Sequence, residues 1–378
     1  MLLDNNQKAF FELIKAGLWK CEARLYQFGE IDYMEVLRLA EEQSIVGLVA
    51  DGIEHIQDVK VPQDDVLQFV GSALQIEQQN IAMNNFVAQL IEKLRKEDIY
   101  AILVKGQGVA QCYERPLWRV SGDVDLLLCE SNYEKAKKVL LPLASNIDAE
   151  QVKRKHLALT IDDWVVELHG TLHTNLWKRL ERLMDEAQSE IFYNGRVRSW
   201  MNGRTQVFLP KADEDVVFVF AHILQHFFIE GIGLRQICDW CRLLYTYRDE
   251  INKKLLEQRL KSARLIEKWK VFAVFAVEYL GMPADAMPFY CNSRCLKRKA
   301  NMVMTLVMDA GNFGQGKDKS YKEKHSKGIR YCISFGMHAK DGLRRFCIFP
   351  REALLMWWKL MMHGLKGVLG MSKGDTGL

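Results

Sequence analysis

The sequence contains no internal repeat, no heptad array and no low-complexity tract, which argues against solenoid and coiled-coil architectures. It also contains no long uncharged apolar run. The stretch 353–369 is apolar and aromatic, but Lys359, His363 and Lys366 interrupt it, and it is too short and too charged to span a bilayer. The N-terminus becomes polar after Leu3, unlike a signal peptide. We therefore expect a globular, cytoplasmic protein without a transmembrane segment.

Cysteine is present but follows no regular disulfide framework. The nine cysteines are scattered and odd in number, which predicts reduced thiols and a cytoplasmic protein. Cys238 and Cys241, together with Cys291 and Cys295, suggest a zinc site as an alternative. We disfavour zinc, because the first pair lies in a strongly helical pattern and the second pair has a three-residue gap.

The chain is long enough for two or three domains. Its 378 residues, of which 49% are hydrophobic and 26% are charged, lie in the ordinary globular range. Residues 1–95 and 211–378 show the helical spacing of apolar residues, whereas residues 96–210 alternate strand and helix signals. We predict an α+β fold in which a small mixed β-sheet core is flanked by helices and lies between N- and C-terminal helical regions.

Two local signals add detail to this outline. Asn194-Gly195 and Asn202-Gly203 stand beside β-prone runs and predict antiparallel hairpins near the edge of the sheet. Asp213 is the predicted cap of the first helix after the sheet.

The most informative feature is a pair of acids at the start of an apolar run. Asp123 and Asp125 begin a segment that continues to Leu128 and reads as a buried strand. Positions i and i+2 of a strand point to the same side, so the two carboxylates project together. Their repulsion is relieved when they share a divalent cation such as Mg²⁺. The alternative is a solvated strand edge with two unrelated surface acids.

Two further segments strengthen the cation hypothesis. The predicted strand 99–104 runs into Lys105-Gly-Gln-Gly108, a glycine turn before a predicted helix, where amide groups and a helix dipole suit a phosphate chain. The predicted strand 163–169 carries one acid, Glu167, among apolar neighbours. A buried carboxylate needs a partner, and a place as the third ligand of a metal site would supply one.

At these residues the chain resembles the bacterial uncharacterised nucleotidyltransferases, a family of the DNA polymerase β-like nucleotidyltransferase superfamily. The pattern consists of an apolar strand with Lys-Gly, a helix, Arg-x-x-x-Asp-hydrophobic-Asp and a later Glu-Leu-His strand. The matching segments are Leu103-Val-Lys-Gly106, Arg119 with Gly122-Asp-Val-Asp125, and Val166-Glu-Leu-His169. The likeness extends to Leu209-Pro210, Asp213-Glu-Asp215, His222 and His226.

The resemblance implies transfer of a nucleoside monophosphate from an NTP, with ATP the favoured donor, to an acceptor hydroxyl, and release of pyrophosphate. It implies that Asp123, Asp125 and Glu167 are catalytic and bind Mg²⁺, for which Mn²⁺ is a substitute. Glu167 would also help to accept the proton of the acceptor hydroxyl. The residues that would then bind the nucleotide phosphates are Lys105, Gly106, Gln107, Gly108 and Arg119.

Alternatives remain for several of these roles. Lys105 could be an ordinary lysine at a strand end, and Arg119 could pair with Glu114 or Asp123. Gln107 stands where the wider superfamily usually has Ser or Gly. A nucleotide-binding or regulatory protein of the same fold, catalytically weak or inactive, is therefore the alternative function.

Four histidines have open roles. His222 and His226 are four residues apart in a helical segment and share a face, and we favour structural or substrate-contacting roles over a metal site. His169 shares a strand face with Glu167 and could support the metal site. His156 lies in an earlier strand candidate and could line the same cleft.

Positive charge is concentrated towards the C-terminus. Residues 291–378 contain 17 Lys and Arg against 6 Asp and Glu. The segment 311–317 resembles a P-loop, but Asp318 replaces the hydroxyl residue that would bind Mg²⁺, so we favour a mobile basic loop near the cleft. The stretch 353–369 is expected to form an amphipathic helix on the protein's own core, and peripheral membrane contact through it is the disfavoured alternative.

Overall fold

The computed structural model describes residues 3–229, 231–311 and 342–368. The helices are α1 Asn5–Trp19, α2 Tyr33–Glu42, α3 Val46–Ile53, α4 Gln63–Arg95, α5 Gly106–Ala110, α6 Glu130–Leu140, α7 Lys178–Tyr193, α8 Ala212–Phe228, α9 Leu234–Thr246, α10 Lys253–Ser262, α11 Ile266–Leu280, α12 Arg294–Ala310 and α13 Pro350–Val368. The strands are β1 Ala101–Val104, β2 Asp123–Leu128, β3 Ala144–Ile147, β4 His156–Ile161, β5 Trp164–His169, β6 Val197–Asn202 and β7 Thr205–Pro210. A short helical segment also covers 342–348.

In the described part of the chain the strands form one mixed sheet in the order β3-β4-β5-β2-β1-β7-β6. The central strand β2 pairs in parallel with β5 and antiparallel with β1. Strand β1 pairs in parallel with β7, and β3, β4 and β5 pair antiparallel in succession. The predicted α+β fold with a mixed sheet flanked by helices is confirmed.

The sheet separates two hydrophobic clusters. Val124, Leu126 and Leu128 of β2 pack in one cluster with side chains of α4 and α6. Ile102 and Leu127 belong to the other cluster, which includes side chains of α7 and α8. Because side chains alternate along β2, the burial of Val124 and Leu126 on the first face directs Asp123 and Asp125 towards the second face. Side chains of helix α8 belong to the hydrophobic cluster on that second face.

The N-terminal helices follow the predicted apolar spacing. Asp4 caps α1 in a capping box with Gln7, and Phe10, Leu13 and Ile14 on the inner side of α1 are fully buried. Helices α1 and α3 pack closely, because Gly17 presents no side chain to the backbone of α3. A Cβ atom at Gly17 would lie 2.2 Å from the Leu48 carbonyl oxygen.

The hydrophobic cluster that contains Ile102 and Leu127 also includes side chains of α1–α3 and of α8–α12. Helix α4 ends at Arg95 and β7 ends at Pro210. Since the three stretches 1–95, 96–210 and 211–378 share hydrophobic contacts, their division into domains stays a prediction.

Three local predictions need correction. Asn202-Gly203 does form the turn of the antiparallel β6–β7 hairpin at the sheet edge, but Asn194-Gly195 connects α7 to β6 and forms no hairpin. Helix α8 begins at Ala212 with Lys211 at the cap position, so Asp213 lies in the first turn and pairs with Arg196. Helix α5 begins at Gly106, earlier than expected, and is only one turn long.

Helix α13 packs on the protein's own core along one face. Ala353 and Met356 are buried, and Glu352 pairs with Lys268 of α11. The opposite face exposes Leu354, Leu355, Trp357 and Trp358. Within the described residues, no helix combines the length and the apolar character that a membrane crossing requires.

Candidate active site

The acid cluster is assembled by two parallel neighbouring strands. In the β2–β5 pair, Asp125 lies directly opposite Glu167, and Asp123 precedes Asp125 by two residues on the same face. Carboxylate oxygens of Asp123, Asp125 and Glu167 lie within 4.8 Å of one another. Asp125 and Glu167, 42 positions apart in the sequence, therefore meet because β5 pairs with β2. The three acids that the sequence predicts to act together lie in one cluster.

The electrostatics of the cluster suit a divalent cation. The Asp125 carboxylate, followed by burial, raises the pKa of Asp123 above its ordinary value. This is the expected effect of like charges that cannot separate, and a shared cation would remove it. Three carboxylates are hard oxygen ligands, which Mg²⁺ prefers. The donor set is therefore compatible with the magnesium ions that phosphoryl chemistry uses.

Lys105 reaches the cluster from the end of β1. Its Nζ atom lies 2.7 Å from Asp125 Oδ1. Burial disfavours the charged ammonium, but Asp125, Glu167 and Asp123 together raise the pKa of Lys105. The residue also adopts φ +56° and ψ −145°, a backbone conformation that is uncommon outside glycine. Lys105 is thus held at the cluster as a permanent cation, unlike an ordinary lysine at a strand end.

Two histidines flank the acids on the other side. His169 Nε2 lies 2.8 Å from Asp125 Oδ1 and 3.3 Å from Glu167 Oε2, and His156 Nε2 lies 3.1 Å from the same Glu167 oxygen. Burial opposes the ionisation of Glu167, but hydrogen bonds with His156 and His169 and the charge of Lys105 hold its pKa below the ordinary value. Glu167 therefore stays ionised at neutral pH.

Arg119 lines the cavity but its guanidinium is committed to Asp239 of α9. Its Nε and Nη2 atoms donate to the two carboxylate oxygens of Asp239 at 2.9 and 2.6 Å, and Nη1 donates to Ser121 Oγ at 2.8 Å. Tyr113 also donates to Asp239. Asp239 therefore takes the place of Glu114 and Asp123, the two partners of Arg119 expected from the sequence. Glu114 pairs with Arg242 instead.

Gln107 and Gly108 are not brought into the cavity. The Gln107 side chain is buried against α4, where Nε2 donates to Asn80 Oδ1 at 2.8 Å. Gly108 faces β7, and a Cβ atom there would lie 2.7 Å from Leu209 Cδ2. Of the glycine turn, Lys105 and Gly106 line the cavity. The Gln107 side chain therefore braces the glycine turn from the side of α4.

A cavity of about 240 Å³ lies between the acid cluster and helices α8 and α9. This volume lies just below the range for small-molecule sites, which runs from about 300 to 1,000 Å³. Its basic lining residues are Lys105, Arg154 and Arg235, together with Arg119, which pairs with Asp239. The cavity therefore combines carboxylates with cations, as a site for a metal-bound anionic substrate requires.

A family comparison agrees with this geometry. Residues 29–281, about two thirds of the chain, match the model of a family described as uncharacterised nucleotidyltransferase. The chain belongs to this family. It is therefore a transferase enzyme, and a nucleotide is its implied substrate. No curated protein and no solved structure matches the chain.

In this nucleotidyltransferase, several cavity residues escaped prediction from the sequence. Arg154 precedes β4, whereas Arg235 and Asp239 lie on α9, and all three line the cavity. Arg235 donates to the Val120 carbonyl oxygen at 3.1 Å, and its charge acts on Asp123. These residues carry no local signal, because only the packing of α9 and of the segment before β4 brings them near the acids.

His222 and His226 of α8 also line the nucleotidyltransferase cavity. Their Nε2 atoms lie 2.9 Å apart, which agrees with the predicted shared helix face. Burial, together with the charges of Lys105 and His226, lowers the pKa of His222 well below its ordinary value, so the imidazole is neutral. A role in contacting substrate stays a prediction.

The zinc alternative finds no support in the arrangement of the described cysteines. Cys238 and Cys241 are buried in α9, whereas Cys291 and Cys295 are exposed. Among the described residues, the groups that could hold a metal ion are formed by Asp123, Asp125 and Glu167 and by His156, Glu167 and His169. The P-loop-like segment 311–317 lies outside the described residues from position 312 onwards.

Proposed function

We propose that this enzyme transfers a nucleoside monophosphate from an NTP to an acceptor hydroxyl and releases pyrophosphate. ATP is the favoured donor, and Mg²⁺ is the favoured metal, with Mn²⁺ as a substitute. The observation that carries the proposal is the convergence of Asp123, Asp125 and Glu167 in one cavity beside Lys105. A membership in the nucleotidyltransferase family supports the same reaction class.

The three carboxylates would hold the magnesium ions. When bound, magnesium supplies charge neutralisation at the attacking and leaving oxygens of an in-line phosphoryl displacement. Asp125 is held in place for this task by contacts with Lys105 and His169. Because β2 and β5 are rigid neighbours in the sheet, the carboxylates keep their spacing without a mobile loop.

Glu167 has a role towards the acceptor as well as towards the metal. Its lowered pKa keeps the carboxylate ionised, so it can accept a hydrogen bond from the acceptor hydroxyl and orient the oxygen for attack. The same low pKa makes Glu167 a weak final proton acceptor. Glu167 would therefore pass the proton on to solvent.

We assign phosphate binding to fewer residues than the family resemblance implied. Lys105 and the main chain at Gly106 line the cavity, and Arg235 adds a second, partly buried cation whose charge acts on Asp123. Arg119 acts through Asp239 and Ser121, which hold the segment before β2, so its effect on nucleotide binding is one of positioning.

The test is incubation with α-labelled NTPs and Mg²⁺ in a cell extract, with label transfer and pyrophosphate release both measured. Wild-type protein should release pyrophosphate and label an acceptor. Asp123→Asn and Asp125→Asn should each lower the rate by orders of magnitude. Retained activity in either variant would reject the assignment of the metal ligands.

A matched control is available at Asp162. This exposed residue lies in the β4–β5 turn with φ +52°, a conformation that asparagine tolerates well. Asp162→Asn makes the same chemical change outside the cavity and should leave pyrophosphate release unchanged.

The alternative is a nucleotide-binding or regulatory protein of the same fold without efficient turnover. The sequence feature that favours this alternative is Gln107 in the glycine turn, but the Gln107 side chain faces α4 instead of the cavity. Calorimetry with Mg·ATP and each other NTP separates the two functions. Tight binding without pyrophosphate release would favour the regulatory protein.

A further inference from the structure

Glu167 lies between two groups of potential ligands. On one side are Asp123 and Asp125, and on the other are the imidazoles of His156 and His169. The ligand atoms of His156, Glu167 and His169 lie within 4.8 Å of one another, and both Nε2 atoms approach the same carboxylate oxygen, Glu167 Oε2. Two imidazole nitrogens and a carboxylate oxygen therefore converge beside the carboxylate cluster.

The sheet itself creates this convergence. His156 and His169 face each other across the antiparallel β4–β5 pair, with ring centroids 4.7 Å apart. Glu167 is two residues before His169 on β5 and thus lies on the same face. Its partner on β4 is Ala158, whose short side chain leaves the space above the sheet open to Glu167. Three positions on paired strands fix the nitrogen and oxygen donors more firmly than a loop could.

We propose that His156, His169 and Glu167 form a second cation site that takes a divalent transition-metal ion, such as Mn²⁺, Co²⁺ or Zn²⁺, in preference to Mg²⁺. Imidazole is a favoured ligand of Zn²⁺ and binds Co²⁺ more strongly than Mn²⁺, which accepts both nitrogen and oxygen donors, whereas Mg²⁺ prefers oxygen donors. Two histidines and one carboxylate also leave coordination positions open for water or substrate. His169 Nε2 lies 2.8 Å from Asp125 Oδ1, so this nitrogen site adjoins the carboxylate site at Asp125.

Glu167 belongs to both sites and links them. The site next to it, with Asp123 and Asp125, offers only oxygen donors and suits Mg²⁺. The cavity therefore has two cation positions of different chemical preference. The existence of the nitrogen site depends on the ligand geometry alone, whereas any part that it plays in nucleotidyl transfer rests on the proposed function.

The competing explanation is that the two histidines only position Glu167. In that case their Nε2–H groups donate hydrogen bonds to the carboxylate, and a metal ion never contacts nitrogen. Both explanations predict weaker activity when a histidine is replaced, so activity cannot separate them. A direct measurement of nitrogen coordination is required.

The experiment adds Mn²⁺ alone to the full-length protein without nucleotide and records electron spin echo envelope modulation. We expect ¹⁴N modulation from directly bound imidazole, and its replacement by a ¹⁵N signal when the protein contains ¹⁵N-histidine. Excess Mg²⁺ should not remove this signal. The labelled wild-type protein makes the test independent of whether any variant folds.

Variants then assign the nitrogen atoms. In excess Mg²⁺, His156→Gln and His169→Gln should each reduce the modulation depth and weaken Mn²⁺ binding by at least about tenfold, since loss of even an outer-sphere partner costs about 10–100-fold. His173→Gln is the matched control, because His173 lines the same cavity but pairs with Asp185. His173→Gln should change neither the modulation depth nor the affinity for Mn²⁺.

The outcomes separate this inference from the proposed function. A wild-type spectrum without ¹⁴N modulation, or modulation of undiminished depth in both His156→Gln and His169→Gln, would overturn the nitrogen site. Asp123→Asn should retain the ¹⁴N signal, since Asp123 is not one of its ligands. If that variant also retained pyrophosphate release, the proposed carboxylate mechanism would fail while the nitrogen site stood.

Discussion

Arg119 and Asp239, 120 residues apart in the sequence, form a buried ion pair with two hydrogen bonds in the wall of the candidate active site. The pair joins the segment before β2 to helix α9. Arg119 also donates to Ser121, two residues before Asp123. The position of the Asp123–Asp125 pair therefore depends on a contact that is not itself part of the acid cluster.

Removal of one member of this pair should be costly. Asp239→Asn leaves the Arg119 guanidinium buried without its counter-charge, and we expect a loss of about 3–5 kcal/mol in the free energy of unfolding. The double variant Arg119→Met/Asp239→Leu removes both charges and should recover most of that loss. Urea denaturation measures both. A loss below about 1 kcal/mol for Asp239→Asn would show that the pair does not brace the site.

Gln107 should affect stability and leave nucleotide binding alone. Its Nε2 atom donates to Asn80, which in turn donates to the carbonyl oxygens of Leu117 and Arg119. Gln107→Leu leaves Asn80 Oδ1 buried without this donor, which costs about 1–3 kcal/mol. Calorimetry should show an unchanged NTP affinity. Weakened NTP binding in a stably folded variant would return Gln107 to the phosphate site.

The matched control for Gln107 is Gln89→Leu on the exposed side of α4. A surface substitution of this kind should change the free energy of unfolding by less than about 0.5 kcal/mol. Lys105→Ala is the positive control for binding, because it removes a cation from the cavity and should weaken the affinity for NTP.

Asp123 should make the metal-free protein sensitive to pH. Its native pKa is raised above the ordinary value of 3.8 by Asp125 and by burial, so the native state binds its proton more tightly than the unfolded chain does. Its contribution to stability is complete below pH 3.8 and is lost as the pH rises through the native pKa. The Asp123→Asn variant does not lose stability in this way, because asparagine does not titrate.

We therefore expect that, in EDTA, Asp123→Asn becomes more stable relative to wild type as the pH increases from acid to neutral. Urea denaturation at a series of pH values measures the difference in the free energy of unfolding. If the two curves ran parallel across this range, the repulsion between Asp123 and Asp125 would be absent from the native protein.

Glu167→Gln should impair the chemical step more than substrate binding. The substitution removes the charge that the two histidines hold in place, while leaving the cations that contact phosphate. We expect a fall of about 10²-fold or more in the single-turnover rate, the scale for loss of one preorganised electrostatic group. NTP affinity should change far less, and a loss confined to affinity would mean that the role of Glu167 is misassigned.

The exposed face of α13 should not direct the protein to membranes. Its inner face packs on the core through Ala353 and Met356, as a docked helix does. We expect no flotation with anionic liposomes and equal stability of wild type and Trp357→Ser/Trp358→Ser, since both tryptophans are exposed. Flotation of wild type that this double variant abolished would instead establish peripheral membrane contact.

The sequence by itself determined the elements that carry the site. The alternation along 123–128 and 163–169 identified strands β2 and β5 and placed Asp123, Asp125 and Glu167 on them. The apolar spacing of residues 1–95 identified the N-terminal helices. These features depend on local periodicity, which a chain reveals without knowledge of its distant contacts.

Only the tertiary structure decided which residues share the cavity. Arg119 was expected at the phosphates, but α9 brings Asp239 to it, and Gln107 turns to Asn80 on α4. The convergence of His156 and His169 on Glu167 depends on the register of β4 with β5. Side-chain partners are set by strand register and helix packing between distant segments, and these have no local signature in the sequence.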